Sequence, residues 1–297
     1  MVRRIKKTRD SILVSAICYG IVTLFAITTL YPILNIISVA FSSFPAYIRR
    51  PWMFFPTELS FSAFKTLSQN SNILNSYRNT IFITVVGTLL TLAVTTLTAY
   101  PLSRPQLRGK AVYMTLLIFT MMFNGGLIPT FLLIRGIGLY NSLWALIVPT
   151  LVSAYYVILM ISFFKSLSES LLEAARIDGA NEGYMLLHLV VPLSKPILAT
   201  IALFAAVGYW NSYFGAIVYL RDRSLWPVQL VLREILLAAE TASVRSDGNL
   251  AEMDLSLLPS IMLQYASLLV VMLPIMCIYP FLQRYFVKGI MLGAVKE

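Results

Sequence analysis

Residues 173–192 read EAARIDGANEGYMLLHLVVP, a polar segment set between two long apolar runs. The chain around it has 297 residues, of which 58% are apolar and 12% charged. Its mean hydropathy is +0.79. A soluble domain of this length does not carry so little charge, so most of the chain must sit in lipid and the polar segment must lie at a membrane surface.

A helix needs about 20 apolar residues to cross the hydrocarbon core. Six runs meet that length without an Asp, Glu, Lys, Arg or His inside them, at about 11–41, 79–101, 111–134, 142–164, 197–220 and 259–283. The first is too long for a secretory h-region and has no small-residue cleavage site, so it reads as a retained anchor. Six spans put both termini on one side. That side holds fourteen of the 23 Lys and Arg against six of the 13 acids, a net +8, whereas the other side nets +2. By the positive-inside bias both termini and the 173–192 segment are cytoplasmic. The sequence therefore predicts an all-α integral membrane protein with six transmembrane helices and a cytoplasmic coupling helix between spans 4 and 5. One transmembrane domain, 1–297, comprises a basic cytoplasmic amino terminus (1–10), a cytoplasmic loop (165–196), an external loop (221–258) and a cytoplasmic tail (284–297).

The same charge distribution removes the need for a nucleic-acid partner, because the positive-inside bias and a basic amino terminus against anionic headgroups account for the net +10. Cys18 and Cys277 fall in different spans with no CxxC or His-rich neighbourhood and read as packing residues. His188 is the only histidine and lies within the polar segment, so neither a metal cluster nor a Ser/His/Asp triad can form around it at the membrane midplane. Charge-free spans also exclude proton relays and voltage sensors, which carry ionisable groups within the membrane. The one Gly-Lys pair, Gly109 and Lys110, is followed by Ala111 and lacks the earlier glycine of a phosphate-binding loop. Any energy for transport must enter from another chain.

The polar segment has the features of a lever. Ser168 is placed to cap a helix beginning near Glu169, with Leu171, Leu172, Ala175 and Ile177 as its apolar face. Gly179 permits a tight turn after that helix. Pro192 and Pro196 interrupt backbone hydrogen bonding where the chain turns back to the fifth span.

Glu173, Ala174, Ala175, Gly179 and Pro192 fall on the signature of the permease subunits of bacterial ATP-driven importers: EAA, three residues, Gly, nine residues, then I-x-L-P. Leu189 and Val191 replace the Ile and Leu of that signature. The stretches FNGGLIPTFLLIRGIGLYNSLWALIVP (123–149) and VGYWNSYFGAIVYLRDRSLWPVQLVLREIL (207–236) resemble the carbohydrate branch with the maltose-importer-like fold. Within that branch they are similar to the smaller permeases serving uronate-rich glycans, alginate included. The resemblance implies that Glu173, Ala174, Ala175 and Gly179 dock on an ATPase subunit, with Arg176 and Asp178 flanking. The tail FVKGIMLGAVKE (286–297) also resembles that branch, which brings Lys288 and Gly289 toward the ATPase dimer. Partners implied are a second, different permease, an ATPase dimer that binds the ATP and Mg, an external substrate-binding protein, a glycan and membrane lipid. This chain itself needs no cofactor and catalyses nothing, and it belongs in the bacterial cytoplasmic (inner) membrane.

Sugars are held by aromatic faces with amide and hydroxyl groups. Tyr209, Trp210, Asn211 and Tyr213 in span 5, and Asn124 beside Gly125 and Gly126 in span 3, are therefore the candidate substrate path. Each residue type also serves as an interfacial belt or as helix-to-helix glue. Pro129 and Pro274 are expected to loosen or kink their spans. No cation lies inside a span, so Arg49, Arg50, Arg221 and Arg223 in external loops are the candidates for attracting an anionic glycan, and a neutral oligosaccharide remains open. Of the external loops, 42–77 carries the aromatic PWMFFP (51–56), and 234–250 is expected to reach the binding protein. The reading is alternating access driven by the ATPase. A passive channel would have no use for the docking segment, and an enzyme would need a constellation that Asp247, Glu252 and Asp254 do not supply.

Overall fold

The computed structural model describes residues 9–69, 71–245 and 261–278. The expectations on the amino-terminal Arg and Lys residues before position 9, on Asp247, Glu252 and Asp254, and on the tail with Lys288 and Gly289 lie outside the described residues. Among the described residues the chain is helical, with one isolated antiparallel bridge between Ser42 and Leu59. The first helices are α1 (Arg9–Ala40), α2 (Phe44–Arg49), α3 (Ser62–Gln69) and α4 (Ser71–Ser103). A bent pair follows, α5 (Lys110–Met122) and α6 (Leu127–Gly136). Next come α7 (Trp144–Ile147), continued by a 3-10 turn at Val148–Thr150, and α8 (Ala154–Lys165). The polar segment forms α9 (Glu169–Ile177), α10 (Glu182–Met185), a π turn at Leu186–Val190 and α11 (Val191–Leu193). Last are α12 (Lys195–Trp210), α13 (Phe214–Tyr219), α14 (Val228–Arg245) and α15 (Ile261–Ile278).

Among the described residues, three helices are long and apolar enough to cross a membrane, and the number rises to six when each bent helix pair is one span. These candidates overlap the six expected spans, but three are bent pairs, and the fifth runs over 182–210 rather than 197–220. α5 and α6 meet at 114°, because Gly126 takes φ +86° and the Asn124 side chain captures its N–H at 3.0 Å. Pro129 sits in the first turn of α6 rather than at the break. The fourth run bends by 49° between Thr150 and Ala154, next to a 3-10 turn containing Pro149, whose ring nitrogen has no hydrogen to donate. The chain also turns by 80° between Leu193 and Lys195, between the two prolines expected to turn it. A correction applies to 197–220: helix α12 stops at Trp210, residues 211–213 are non-helical, and α13 is a separate short helix. Helix α15 runs unbroken through Pro274.

The chain divides into two compact units. Unit one takes residues 1–69 and 234–271. In it, the PWMFFP segment folds back on the end of α1. The Asn35 amide donates to the carbonyls of Pro51 and Met53 at 3.1 and 3.2 Å, and Ser38 donates to Phe54 O at 2.6 Å. Met53 is buried there, whereas Trp52 and Phe55 are exposed. The 42–77 region is therefore built of helices and pinned turns rather than an open loop, and α4 begins within it.

Unit two, residues 70–233 and 272–297, is organised around α4. Ser76, Thr80, Ile83, Gly87, Thr91, Thr95 and Ala99 recur every three or four residues and are buried. This gives α4 a narrow face of small and hydroxyl side chains. Without a hydrophobic drive between helices in lipid, such faces let backbones approach and let hydroxyls bond across the contact. Helices α8 and α12 pack on it. At the tightest point a Cβ on Gly87 would lie 2.7 Å from the Tyr209 ring, so only glycine fits. The Tyr209 hydroxyl is 3.0 Å from Thr91 Oγ1 and accepts from Thr150 Oγ1 at 3.1 Å.

Gly87→Ala should therefore lower the thermal stability of the purified protein, by about 1–3 kcal/mol for a side chain forced into a filled space. Adding Tyr209→Ala should relieve most of the clash, giving a strongly non-additive cycle in a thermal unfolding assay. An additive cycle would show that the two residues do not meet.

Candidate functional site

Helix α9 begins at Glu169, as the sequence predicts, with Ser168 at the preceding position. The Ser168 hydroxyl pairs with Ser170 Oγ at 2.7 Å and caps no backbone N–H, which corrects the expected side-chain cap. At the other end the turn is closed by two backbone bonds, Gly179 N–H to Arg176 O and Ala180 N–H to Ala175 O, both at 3.0 Å. This is the paired bonding of a Schellman turn, and it requires a left-handed residue at its centre. Gly179 supplies it at φ +83°. Asn181 then starts α10, its Oδ1 accepting from Tyr184 N at 2.8 Å.

The element has two sides. Leu172, Leu186 and Val190 belong to one buried cluster with Ala99, Tyr100 and Leu102 of α4, Val157, Met160, Ile161 and Phe164 of α8, and Ile197 and Ile201 of α12. On the other side Glu173, Ala174, Asp178 and Gly179 are exposed, and Ala175 and Arg176 are half-buried. Ile177 is 85% exposed, so it does not join the internal apolar face expected of it. It projects beside the glycine turn, an apolar side chain at the tip of a polar element. Ala175, Asp178, Gly179, Ala180, Asn181 and Tyr184 frame a shallow cleft of about 460 Å³ there. His188 stacks on Tyr184 at 4.3 Å between centroids.

A polar network ties this element to α4. The Glu182 carboxylate accepts from the Tyr100 hydroxyl at 2.5 Å and pairs with the Arg176 guanidinium at 3.2 Å. Arg104 lies over the Tyr100 ring at 4.4 Å. Partial burial pushes the Glu182 carboxyl up, but hydrogen bonds from Tyr100 and Arg176 and the charges of Arg176 and Arg104 outweigh it, and its pKa falls below the usual value. The sequence reading named Arg176 but not Glu182 or Tyr100. Their partnership spans 82 positions, and no local pattern announces it.

The residues proposed for a substrate path separate into two groups. Tyr209 and Trp210 are 7% and 6% exposed, and Trp210 lies edge-on to Tyr77 at 6.3 Å. These two hold helices together in this conformation, a correction to their expected place on a passage wall. Asn124, Asn211 and Tyr213 are exposed. All three lie where the backbone leaves the helical path inside an apolar run. Irregular backbone at membrane depth is tolerated where it is buried in protein or lines a watery cavity.

The segment after α13 completes the second of these breaks. Asn79 Nδ2 donates to the carbonyls of Ser224 and Trp226 at 2.8 and 3.2 Å, and Thr80 Oγ1 accepts from Val228 N at 2.8 Å. Asn141, at φ +59°, accepts from the N–H groups of Arg221 and Asp222 at 2.9 and 3.0 Å. So pinned, the region read from the sequence as the external loop 221–258 contains helix α14 at 228–245. Gln229 Nε2 donates to Asn211 Oδ1 at 3.2 Å, and one helical turn on, the Arg233 guanidinium lies 5.5 Å from the centre of the Tyr213 ring. Gln229 and Arg233 went unmarked in the sequence, although their i, i+4 spacing places them on one helix face. Among the described residues no group of three or more His, Cys, Asp or Glu is placed to hold a metal.

Comparison with known proteins agrees with this architecture. Residues 97–292 match the family described as binding-protein-dependent transport system inner membrane component. The polygalacturonan/rhamnogalacturonan transport system permease protein YtcP of Bacillus subtilis (strain 168) is 38% identical, over 94% of this chain and 96% of the relative. Protein LplC of the same organism is 37% identical over 90% of each. A chain in the crystal structure of a bacterial ABC transporter involved in the import of the acidic polysaccharide alginate is 34% identical. It superposes with a TM-score of 0.84 over 94% of this chain and 98% of that one. A chain in the crystal structure of a bacterial alginate ABC transporter in complex with an alginate pentasaccharide-bound periplasmic protein is 15% identical with a TM-score of 0.53, and shares the fold. A chain of apolar helical spans with a polar element keyed into its core, matching that family over about two-thirds of the chain, is a membrane transport subunit and not an enzyme: it belongs to the family of inner membrane components of binding-protein-dependent transport systems.

Proposed function

We propose that this permease subunit carries an acidic oligosaccharide across the bacterial cytoplasmic membrane, driven by a separate ATPase on which residues 173–179 dock. The observation that carries the reading is the two-sided element: its tip is exposed and rigid, while its root shares one buried cluster with α4, α8 and α12. A push on the tip is then delivered to three spans at once. The Schellman turn fixes the tip's shape, the exposed Ile177 supplies an apolar contact, and Glu173 and Asp178 supply charged ones.

In this reading, both termini and the docking element face the cytoplasm, and a substrate-binding protein delivers the glycan on the opposite side. ATP and Mg, held by the ATPase dimer, supply the power strokes. Closure of that dimer swings the docking element, and the Glu182 network with the Leu172, Leu186 and Val190 contacts passes the motion to the spans, so that the path opens alternately to each side. A second, different permease completes the path, whose walls in this chain are the breaks at Asn124 and at Asn211 and Tyr213. Arrival of the binding protein at the 234–250 region, which begins within α14, completes the external side. The acidic character of the cargo rests on relatives whose printed substrates are galacturonan-type polysaccharides and alginate.

Glu173→Arg combined with Gly179→Trp should abolish uptake in reconstituted vesicles, while the chain still assembles with its partner permease. A side chain at φ +83° costs roughly 1–2 kcal/mol in the turn alone. Normal ATP-dependent uptake by this double variant would sink the docking reading, and uptake indifferent to ATP in the wild type would make the protein a channel. Glu182→Ala should leave ATP hydrolysis measurable but raise the ATP consumed per sugar moved, because the link to α4 is cut. A group with a depressed folded pKa contributes above its unfolded value and loses that contribution as pH falls through the folded one. The coupling ratio should therefore stay flat between about pH 6 and 8, well above the ordinary Glu range, and deteriorate only in acid.

A further inference from the structure

We propose that Arg233 reads the carboxylate of a uronate unit as the glycan passes the break in the fifth span, with Tyr213 supporting the sugar ring and Asn211 and Gln229 engaging its hydroxyls. This rests on the proposed transport of an acidic oligosaccharide and goes beyond it by assigning the charge recognition to one residue.

The sequence offers no cation inside an apolar span, which leaves an anionic cargo without a counter-charge along its way. The fold supplies one from outside the run. Asn79, Thr80 and Asn141 pin the 221–228 segment, so that α14 starts beside the α12 break. Arg233, one turn into α14, then stands with its guanidinium 5.5 Å from the Tyr213 ring centre, and both residues are exposed. Four residues earlier Gln229 reaches the Asn211 amide at 3.2 Å. One aromatic face, two amides and one guanidinium thus meet at a backbone break within an otherwise apolar stretch.

Each part matches a feature of a uronate. The planar guanidinium presents paired N–H donors to a carboxylate, and stacking on an aromatic ring holds it without consuming those donors. Tyr213, 42% exposed, offers the apolar surface that a pyranose face covers. The amides offer both donors and acceptors to hydroxyls. A neutral sugar would use the ring and the amides but gain nothing from Arg233. The arrangement therefore predicts selectivity for charge rather than a general sugar affinity.

The test uses the complete complex of both permeases, ATPase and binding protein in proteoliposomes. Uptake is measured for a defined oligogalacturonate and a defined oligoalginate, and for the carboxyl-reduced, neutral form of each. Arg233→Gln should cut uptake of the acidic probes by about tenfold or more while leaving the neutral probes unchanged. Arg233→Lys should retain part of the acid preference, because it keeps the charge but not the paired donors. Equal losses on acidic and neutral probes would assign Arg233 a merely structural role, and unchanged uptake of both would remove it from the path; either outcome overturns the proposal. Wild-type complex that carries the neutral probes and refuses the acidic ones would instead overturn the acidic-cargo reading on which this one rests, and this assignment with it.

Discussion

The contact between Gly87 and Tyr209 sets the distance between α4 and α12, and the positions of both functional regions follow from that distance. A single hydrogen in place of a side chain lets the ring lie flat against α4, and Thr91 and Thr150 complete the contact through the ring's hydroxyl. In lipid, where apolar surface gains nothing by leaving one greasy neighbour for another, this kind of close fit with a shared hydroxyl network is what makes helices choose partners. At one end of α4, Tyr100 then meets Glu182 of the docking element; near the other, Asn79 and Thr80 pin the segment that brings α14 to the break after α12.

The helix α4 is thus a beam connecting two sites. Its buried face, made mostly of small and hydroxyl residues, packs against both α8 and α12. The 169–193 element is rooted in the same buried cluster through Leu172, Leu186 and Val190. Packed side chains connect the segment after the Gly179 turn to α4, and the Glu182 carboxylate adds a polar tie through Tyr100. The π turn at Leu186–Val190 lies directly in this connection. Leu186 and Val190, four residues apart at its two ends, both reach the core.

The broken spans show where local chemistry overrules hydropathy. Apolar runs at 111–134 and 197–220 satisfy the length rule for a membrane crossing, and neither is one helix. At the first break Asn124 and Gly126 supply a side-chain acceptor and a left-handed residue. At the second, α12 ends at Trp210, and after Asn211, Ser212 and Tyr213 a separate helix starts at Phe214. An apolar composition does not require a straight helix; it requires that unpaired backbone groups have somewhere to go, and a water-filled path is one such place.

The class of the protein, and the short helix and glycine turn at 169–179, were legible from the sequence alone. Spans of about 20 uncharged residues, the positive-inside bias and the EAA-to-Gly spacing are local or compositional signals, readable because each depends on residues near one another in the chain. The Gly179 turn was legible for the same reason, since a left-handed turn after a short helix needs glycine wherever it occurs. Only the tertiary structure decided that Tyr209 and Trp210 hold helices together, that Ile177 faces outward, and that Glu182, Gln229 and Arg233 join the two sites. The identity of an aromatic residue does not say which of its faces will be covered, and the partnerships of Glu182 with Tyr100 and of Arg233 with Tyr213 exist only after the α4 ladder has drawn distant segments together.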